Sequence, residues 1–203
     1  MMTILFGILI IYLCYSAGRM LIVSLRLDAD DDETIVISAG LGLGFLSYGV
    51  LVLGLLGLLS PPYLWGFLGL FLTVAVLRIR ADFRVLRNGG SLLAFPTDLF
   101  SRILLILAGS VLFPVFSGIL APDISNDSLC YHLHLPKIFL ANSAIGSVPY
   151  EFNAGFPLLM QMLYTLGLGT AGLTLAQFFH LATGLLTAFG IVAFARRSVP
   201  ARY

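Results

Sequence analysis

Long apolar runs alternate with short polar segments along this chain, and the lengths of the runs predict membrane-spanning helices. The runs that we assign to spans cover residues 3–25, 34–59, 63–77, 103–121 and 172–194. Glycines between 167 and 172 separate the last span from an apolar stretch at 157–168, where we expect a short interfacial or half-spanning helix. The pattern therefore predicts one all-α domain over residues 1–203, a polytopic transmembrane helical bundle.

The composition agrees with a helical bundle that is surrounded by lipid. Of the 203 residues, 59% are hydrophobic and 10% are charged, whereas a soluble domain carries about 25% charged residues. The net charge of +1 excludes an electrostatic nucleic-acid binder, so we expect membrane lipids and no nucleic acid as partners. Cys14 lies in an apolar run and Cys130 in a polar one, which indicates neither a disulfide framework nor a zinc site.

The distribution of basic residues predicts the orientation of the spans. Arginines concentrate in a predicted loop at residues 78–102, with a break at Asn88, Gly89 and Gly90, and they recur at Arg196 and Arg197. The positive-inside rule makes both segments cytoplasmic. The span at 103–121 then runs outward, and residues 122–156 form an extracytoplasmic loop. Lys137 is the only basic residue in the sequence of that loop, which agrees with this orientation.

Three smaller patterns concern packing and charge. Gly40 and Gly44 form a G-x-x-x-G pair that favours close helix contact, although ordinary glycine usage in membrane helices explains it equally well. The acidic residues at 28–33 are typical of a flexible connector that supplies charge to a helix N-terminus, with a cation site as the alternative. His180 in the last span should face the bundle interior as a packed, hydrogen-bonded side chain rather than a relay.

The segment from Pro122 to Lys137 is the main polar island of the chain. It holds two of the ten acids, two of the three histidines and the only lysine. In an α-helix Asp127, Tyr131 and His134 share one face, with leucines on the opposite face. That arrangement predicts an amphipathic helix at the membrane interface.

The residue types of the island allow acid–base chemistry. Asp127 can act as a general base on an alcohol or amine, while Lys137 and a histidine neutralise phosphate charge. The alternative is structural: Asp127 caps a helix, the histidines lie at the interface and Lys137 extends toward water. Glu151 and Asn153 could bind a sugar hydroxyl or belong to an ordinary polar loop. No metal or cofactor motif occurs in the sequence.

The run Asp127-Ser-Leu-Cys-Tyr-His-Leu-His-Leu-Pro-Lys137 resembles the D-x-L-x-Y-H-L-x-x-P-K motif of bacterial GT-C glycosyltransferases. In that family the motif lies in the first large periplasmic loop. The segment from Phe156 to Gly167 also resembles the family's approach to the next helix, with Gln161 where many relatives carry an acid. Members are polytopic, mannosyltransferase-like enzymes that use polyprenyl-phosphate sugars.

The resemblance implies roles for the residues of the island. Asp127 matches the loop aspartate of the family, the expected catalytic base. The motif favours His132 as its partner, whereas the helical wheel places His134 there. The candidate substrate-binding residues are Tyr131, His132, His134, Lys137 and Glu151, and no metal ligand is expected.

The resemblance also implies a function for the chain. It predicts transfer of a sugar from a polyprenyl-phosphate donor to an unknown extracytoplasmic acceptor, at the bacterial inner membrane and without a cofactor. Such enzymes carry further transmembrane helices, so we interpret the chain as the N-terminal portion of one, or as a copy inactive alone. The alternative is a non-catalytic polytopic membrane protein, such as a transporter fragment or an assembly partner. A transporter should carry ionisable groups deep in the membrane, where we expect only His180.

Overall fold

The computed structural model describes residues 2–27, 29–88, 98–155 and 158–198, and within these ranges the chain is helical and has no strand. The α-helices are α1 (Met2–Leu25), α2 (Asp31–Leu55), α3 (Pro61–Asn88), α4 (Leu99–Gly118), α5 (His134–Ala141), α6 (Leu159–Thr170) and α7 (Leu173–Ser198). A π-helical turn at Ser128–His132 precedes α5, and a 3-10 turn at Phe152–Gly155 precedes α6. In the described ranges α1, α2, α3, α4 and α7 are long and apolar enough to cross a membrane. The all-helical architecture with five such helices is thereby confirmed.

The core lies where α1 and α2 meet α3, α6 and α7. The short helix α5 packs on α6 and inserts Leu135 and Phe139 among the buried residues, so the polar island is anchored in the bundle. Helix α4 differs from the other long helices, because none of its twenty described residues is buried. It lies at the side of the bundle, with α7 as its neighbour across a groove.

Helices α1 and α2 approach each other closely because each has a glycine at the crossing. A β-carbon on Gly18 would lie 1.9 Å from the carbonyl oxygen of Ser38, and one on Gly42 would lie 1.8 Å from that of Cys14. Gly44, by contrast, faces open space. The G-x-x-x-G pair therefore does not form the contact with α1, because the face of α2 that meets α1 is the one bearing Gly42; ordinary glycine usage accounts for the pair.

Helix α3 extends to Asn88, well beyond the predicted end at residue 77. The arginines at 78, 80, 84 and 87 are therefore helical, although we had placed them in a loop. The predicted break at Gly89 and Gly90 lies outside the described residues. The prediction failed because the arginines were interpreted as the end of the span, whereas this part of α3 packs on α1 through polar contacts.

Those contacts surround Asp82, which is fully buried. The Ser16 hydroxyl donates to Oδ2 of Asp82 over 2.5 Å, and Nη1 of Arg19 lies 2.6 Å from Oδ1. Nε of Arg78, one turn earlier on α3, lies 3.8 Å from the same oxygen. Asp82, which the sequence did not single out, is thus an ionisable residue buried among its own counter-charges.

The same end of the bundle holds ion pairs between α2 and α7. Arg196 lies 3.7 Å from Asp32, and Arg197 pairs with Glu33. Asp30 caps α2 by accepting a hydrogen bond from the Glu33 amide at 2.7 Å. The acidic stretch thus supplies N-terminal helix charge, as predicted, while Asp28 lies outside the described residues.

The polar island occupies the opposite end of the bundle. Backbone hydrogen bonds join its continuation to the α2–α3 turn: Leu59 donates to the Ser143 carbonyl and Ile145 to that of Gly54, both over 2.9 Å. The chain after α5 is therefore held by main-chain contacts that do not depend on side-chain identity. The island lies near the C-terminal end of α2, remote from the arginines.

Replacing Gly42 with alanine should destabilise the bundle. A glycine-to-alanine change inside a helix normally stabilises by about 0.5–1 kcal/mol, but here the new methyl group meets backbone at 1.8 Å. The helices α1 and α2 must shift apart to make room for the methyl group, and such overpacking lowers the free energy of unfolding by about 1–3 kcal/mol. Thermal unfolding of the detergent-solubilised protein should show a lower midpoint for Gly42→Ala and an equal or higher midpoint for Gly44→Ala. Equal midpoints for the two variants would contradict the packing.

Candidate functional site

The polar island begins with two side-chain-to-backbone hydrogen bonds that turn the chain after α4. Oδ1 of Asp123 accepts from the Ser125 amide at 3.0 Å, and Oγ of Ser125 accepts from the Ser128 amide at 3.3 Å. These contacts satisfy amides that would otherwise have no partner before a helix. Asp127, which follows this turn, is exposed, and its carboxylate accepts no capping hydrogen bond from the amides of the next helical turn.

The turn that follows is π-helical, and this decides which histidine enters the site. The Leu133 amide donates to the Ser128 carbonyl over 2.9 Å, the i to i+5 spacing of a π turn. Residues five apart then share a face, so His132 lies on the same side as Asp127. The α-helical wheel, which selected His134, assumed the wrong period at this point.

Asp127 and His132 line a cavity of about 340 Å³ at the end of the bundle opposite the arginines of α3. The cavity lies between the island, α4, α6 and α7. Its other polar lining residues are Asp123, Ser125, Ser128, Tyr164, Gln177 and His180. The family motif and the cavity therefore agree on His132.

His132 is oriented by α6. The amide nitrogen of Gln161 lies 3.2 Å from its Nδ1, and the ring of Tyr164 meets it edge-on with centroids 6.0 Å apart. With the amide as donor, Nδ1 accepts and the proton of the neutral ring is on Nε2. Gln161 is thus a hydrogen-bonding partner of His132.

The surroundings of His132 favour its neutral form. Partial burial is the main cause that lowers its pKa, and the Asp127 carboxylate opposes this shift. His180 lowers the pKa further and Asp123 raises it, and the net effect is a pKa below the ordinary value. The ring therefore presents a neutral N–H donor at pH 7.

The two carboxylates of the cavity differ. Burial alone would raise the pKa of Asp123, but hydrogen bonds from Ser128 and Ser125 outweigh it and hold the pKa below its usual value. Asp123 is therefore a weak base engaged in shaping the turn. Asp127, exposed and uncapped, is the carboxylate free to accept a proton from a bound molecule.

His180 enters the cavity from α7. Its Nδ1 lies 2.6 Å from the hydroxyl of Tyr164, so the prediction of a hydrogen-bonded histidine is confirmed. The expectation that it would be packed in the interior was wrong, because the residue is exposed and lines the cavity.

Sequence reasoning missed Tyr164 and Gln177 as cavity residues. Gln177 reaches back to the end of α4, with its Nε2 3.4 Å from the Ala121 carbonyl oxygen. The signal was spacing: Gln161 and Tyr164, like Gln177 and His180, are polar pairs three residues apart on apolar helices. Such pairs share a helix face.

The remaining predicted site residues lie outside the cavity lining. Tyr131 is half-buried against the core, and its ring lies beside that of His132 with centroids 4.0 Å apart and planes tilted by 39°. His134 begins α5, and Lys137 is exposed because α5 buries the opposite face. Oε1 of Glu151 accepts from the backbone and side-chain nitrogens of Asn153 at 3.0 and 2.9 Å, so Glu151 supports the 3-10 turn.

An apolar groove continues from the cavity between α4 and α7. Its volume is about 900 Å³, and its walls include Leu107, Val111 and Leu185. Val115 and His180 line both the groove and the cavity. A second apolar crevice, of about 380 Å³ between α1, α2 and α7, shares no described residue with the cavity.

The arrangement suits a molecule with a polar head and an apolar tail. Carboxylates accept hydrogen bonds from hydroxyl groups, whereas imidazole N–H groups and an amide N–H donate to oxyanions. Among the described residues no group of three or more His, Cys, Asp or Glu side chains is placed to hold a metal ion. The chemistry available to the described side chains is hydrogen bonding and proton transfer.

Comparison of the chain with protein-family models, curated proteins and solved structures gives no match. The interpretation of the site therefore rests on its geometry and on the motif in the island.

The protonation of His132 gives a direct test of the site. Its titration midpoint, followed by NMR of the histidine-labelled protein in detergent, should lie below the ordinary 6.5 because burial disfavours the charged ring. The unfolded chain binds this proton more readily than the folded protein does. The neutral His132 ring therefore contributes to the free energy of unfolding above about pH 6.5, and this contribution is lost as the pH falls through the folded-state pKa. The His132→Asn spectrum assigns the signal. A midpoint at or above 6.5 would contradict the placement.

Proposed function

We propose that this chain is the N-terminal portion of a GT-C-like glycosyltransferase that transfers a sugar from a polyprenyl-phosphate donor to an extracytoplasmic acceptor. The observation that carries the proposal is the polar cavity around Asp127 that opens into the apolar groove between α4 and α7. A lipid-linked sugar has the same division into a polar head and an apolar chain. The motif from Asp127 to Lys137 supports the same function independently.

The groove supports a prenyl substrate because of its position and its walls. Helix α4, which forms one wall of the groove, has no buried residue among its described residues. A lipid can therefore enter the groove from the side of the bundle without passing through the core. Its lining is mostly leucine, valine and alanine from two helices. Apolar contact of this kind stabilises a hydrocarbon chain without fixing its conformation.

In the proposed reaction Asp127 is the general base. Its carboxylate takes the proton of an acceptor hydroxyl as the oxygen attacks the anomeric carbon from the face opposite the phosphate. The bond from that carbon to the phosphate oxygen breaks, and the polyprenyl phosphate leaves with the electron pair. A single displacement of this kind inverts the anomeric configuration. Asp123 is less suited to the role, because its carboxylate is already engaged by the turn.

The proposed location is the bacterial plasma membrane with the cavity on the extracytoplasmic side. The cavity and the arginine-rich end of α3 lie at opposite ends of the bundle. Cytoplasmic arginines, as the positive-inside rule requires, then put the cavity outside. Polyprenyl-phosphate sugars are presented on that face in the family that the island resembles.

A non-catalytic membrane protein remains the second candidate, and one observation bears on it. Asp82 is the kind of buried ionisable group that a transporter carries. It is, however, neutralised by Arg19 and Arg78 and hydrogen-bonded by Ser16, all within the chain. A closed network of this kind favours a structural contact between α1 and α3 over a transport site.

Replacement of Asp127 by asparagine tests the catalytic assignment. Asparagine keeps the size and polarity of the side chain but cannot accept the proton, so turnover should fall by about 10²–10⁴-fold at normal expression. The measurement is release of polyprenyl phosphate from labelled polyprenyl-phosphate sugars, in membranes that contain the protein at its full natural length.

The matched control is Asp31→Asn, which removes an exposed carboxylate at the opposite end of the bundle. It should leave turnover unchanged. Equal turnover for Asp127→Asn and the unsubstituted protein would exclude Asp127 as the base.

A further inference from the structure

His180 occupies the boundary between the polar cavity and the apolar groove. Of the described residues only His180 and Val115 line both spaces, and Val115 is apolar. His180 is therefore the polar side chain found at the point where the surroundings change from hydrogen-bonding to hydrocarbon. In a lipid-linked sugar, the group at that point is the phosphate.

The partner of His180 fixes which ring nitrogen carries the proton. The Tyr164 hydroxyl lies 2.6 Å from Nδ1. With the hydroxyl as the donor in this contact, Nδ1 accepts and the proton of the neutral ring is on Nε2. Nε2 is on the other edge of the ring from the tyrosine, and its N–H is available to a molecule in the boundary region.

Tyr164 is well placed to hold this state. It is 5% exposed, and its ring stacks on that of His180 with centroids 6.3 Å apart. Its position on α6 is fixed by packing against α7, where a β-carbon on Gly167 would lie 2.7 Å from the Ala176 amide nitrogen. The tyrosine therefore orients the imidazole from a rigid helix, as an outer partner does for a functional histidine.

The charges of the other cavity-lining groups increase the need for an N–H donor at the boundary between cavity and groove. Asp123 and Asp127 bring two carboxylates from the island, and the described lining residues include no lysine or arginine. A phosphate in this space must therefore be stabilised by hydrogen-bond donors, of which His132 lies on the island side and His180 on the groove side. Hydrogen bonds to a charged acceptor are about twice as strong as neutral ones.

We propose that His180 binds the phosphate of the polyprenyl-phosphate donor through Nε2–H, and that Tyr164 is the positioning residue that holds it in this tautomer. The proposal rests on the proposed function for the presence of a lipid phosphate. It adds two residues, on α7 and α6, that the loop motif does not contain.

The test compares two probes that differ only in the phosphate: undecaprenyl phosphate and undecaprenol. Binding to the purified full chain in detergent is measured for the wild type, His180→Leu and His180→Gln. Leucine keeps the groove apolar but removes the donor, so affinity for the phosphate should fall about tenfold while affinity for the alcohol is unchanged. Glutamine retains an N–H near the position of Nε2 and should recover part of the loss.

The control is Asn142→Gln, a change at an exposed polar residue outside the cavity. It should leave the affinities for both probes unchanged. A loss of equal size for phosphate and alcohol in His180→Leu would show damage to the groove and overturn the phosphate contact. An unchanged affinity for phosphate would overturn it as well.

Failure of the proposed function gives a different result. If wild-type protein binds neither probe, the lipid site itself is refuted, and with it the role of His180. If His180→Leu loses only the phosphate affinity while Asp127→Asn retains full turnover, the phosphate contact stands and the assignment of the base falls.

The Tyr164→Phe variant tests positioning separately from binding. Nitrogen NMR of the histidines should show His180 with its proton on Nε2 in the wild type, and a mixture of tautomers once the hydroxyl is removed. Affinity for undecaprenyl phosphate should fall with the loss of the Nε2–H form, whereas Tyr48→Phe, at an exposed tyrosine on α2, should change neither quantity. An unchanged tautomer in Tyr164→Phe would contradict the positioning role.

Discussion

Lipid offers no hydrogen-bond partners, so polar side chains within this apolar chain must find theirs inside the protein. The structure satisfies this constraint by collecting polar groups at the two ends of the bundle. At one end Asp82 is neutralised by Arg19 and Arg78, and ion pairs join α2 to α7. At the other end the island folds back onto α6 and α7 and encloses a cavity. The Asp82 carboxylate is thus buried among its partners, whereas Asp127 and His132 line a cavity.

That difference separates a structural network from a site. The carboxylate of Asp82 is surrounded by its partners and has no access to a ligand. The carboxylate of Asp127 is exposed, and the nearby histidines are held by Gln161 and Tyr164 through one edge of each ring. The free edges, the exposed carboxylate and the adjoining groove are the features on which the proposed site for an amphiphilic molecule rests.

The long helices could be predicted from the sequence because their apolar runs exceed what a soluble core requires. The end of α3 could not, because arginines that mark a membrane boundary also continue a helix when an acid such as Asp82 packs among them. The choice between Gly42 and Gly44 depends on the rotation of α2 toward α1, which the spacing of glycines does not specify.

The candidate site likewise combines contacts within one short segment with contacts between helices that are distant in the sequence. Asp127 and His132 belong to one motif, but their alignment depends on a π turn that an α-helical wheel misplaces. Tyr164 and His180 reach the cavity from helices that follow much later in the chain. Their pairing depends on how α6 packs against α7, so spacing alone could indicate shared faces but not the contact between them.

The central claim is that the cavity and the α4–α7 groove form one site for a lipid phosphate. Photo-crosslinking tests it most directly, with a polyprenyl phosphate that carries a diazirine on its prenyl chain and mass spectrometry to locate the adducts. Adducts should fall on the groove face of α4, between residues 104 and 115, and on α7 residues that line the groove but not the crevice, namely Thr183, Gly184, Thr187 and Ala188. Excess unlabelled polyprenyl phosphate should suppress them. Adducts confined to α1, α2 and the α7 residues that line the crevice, or adducts that the competitor does not suppress, would contradict the claim.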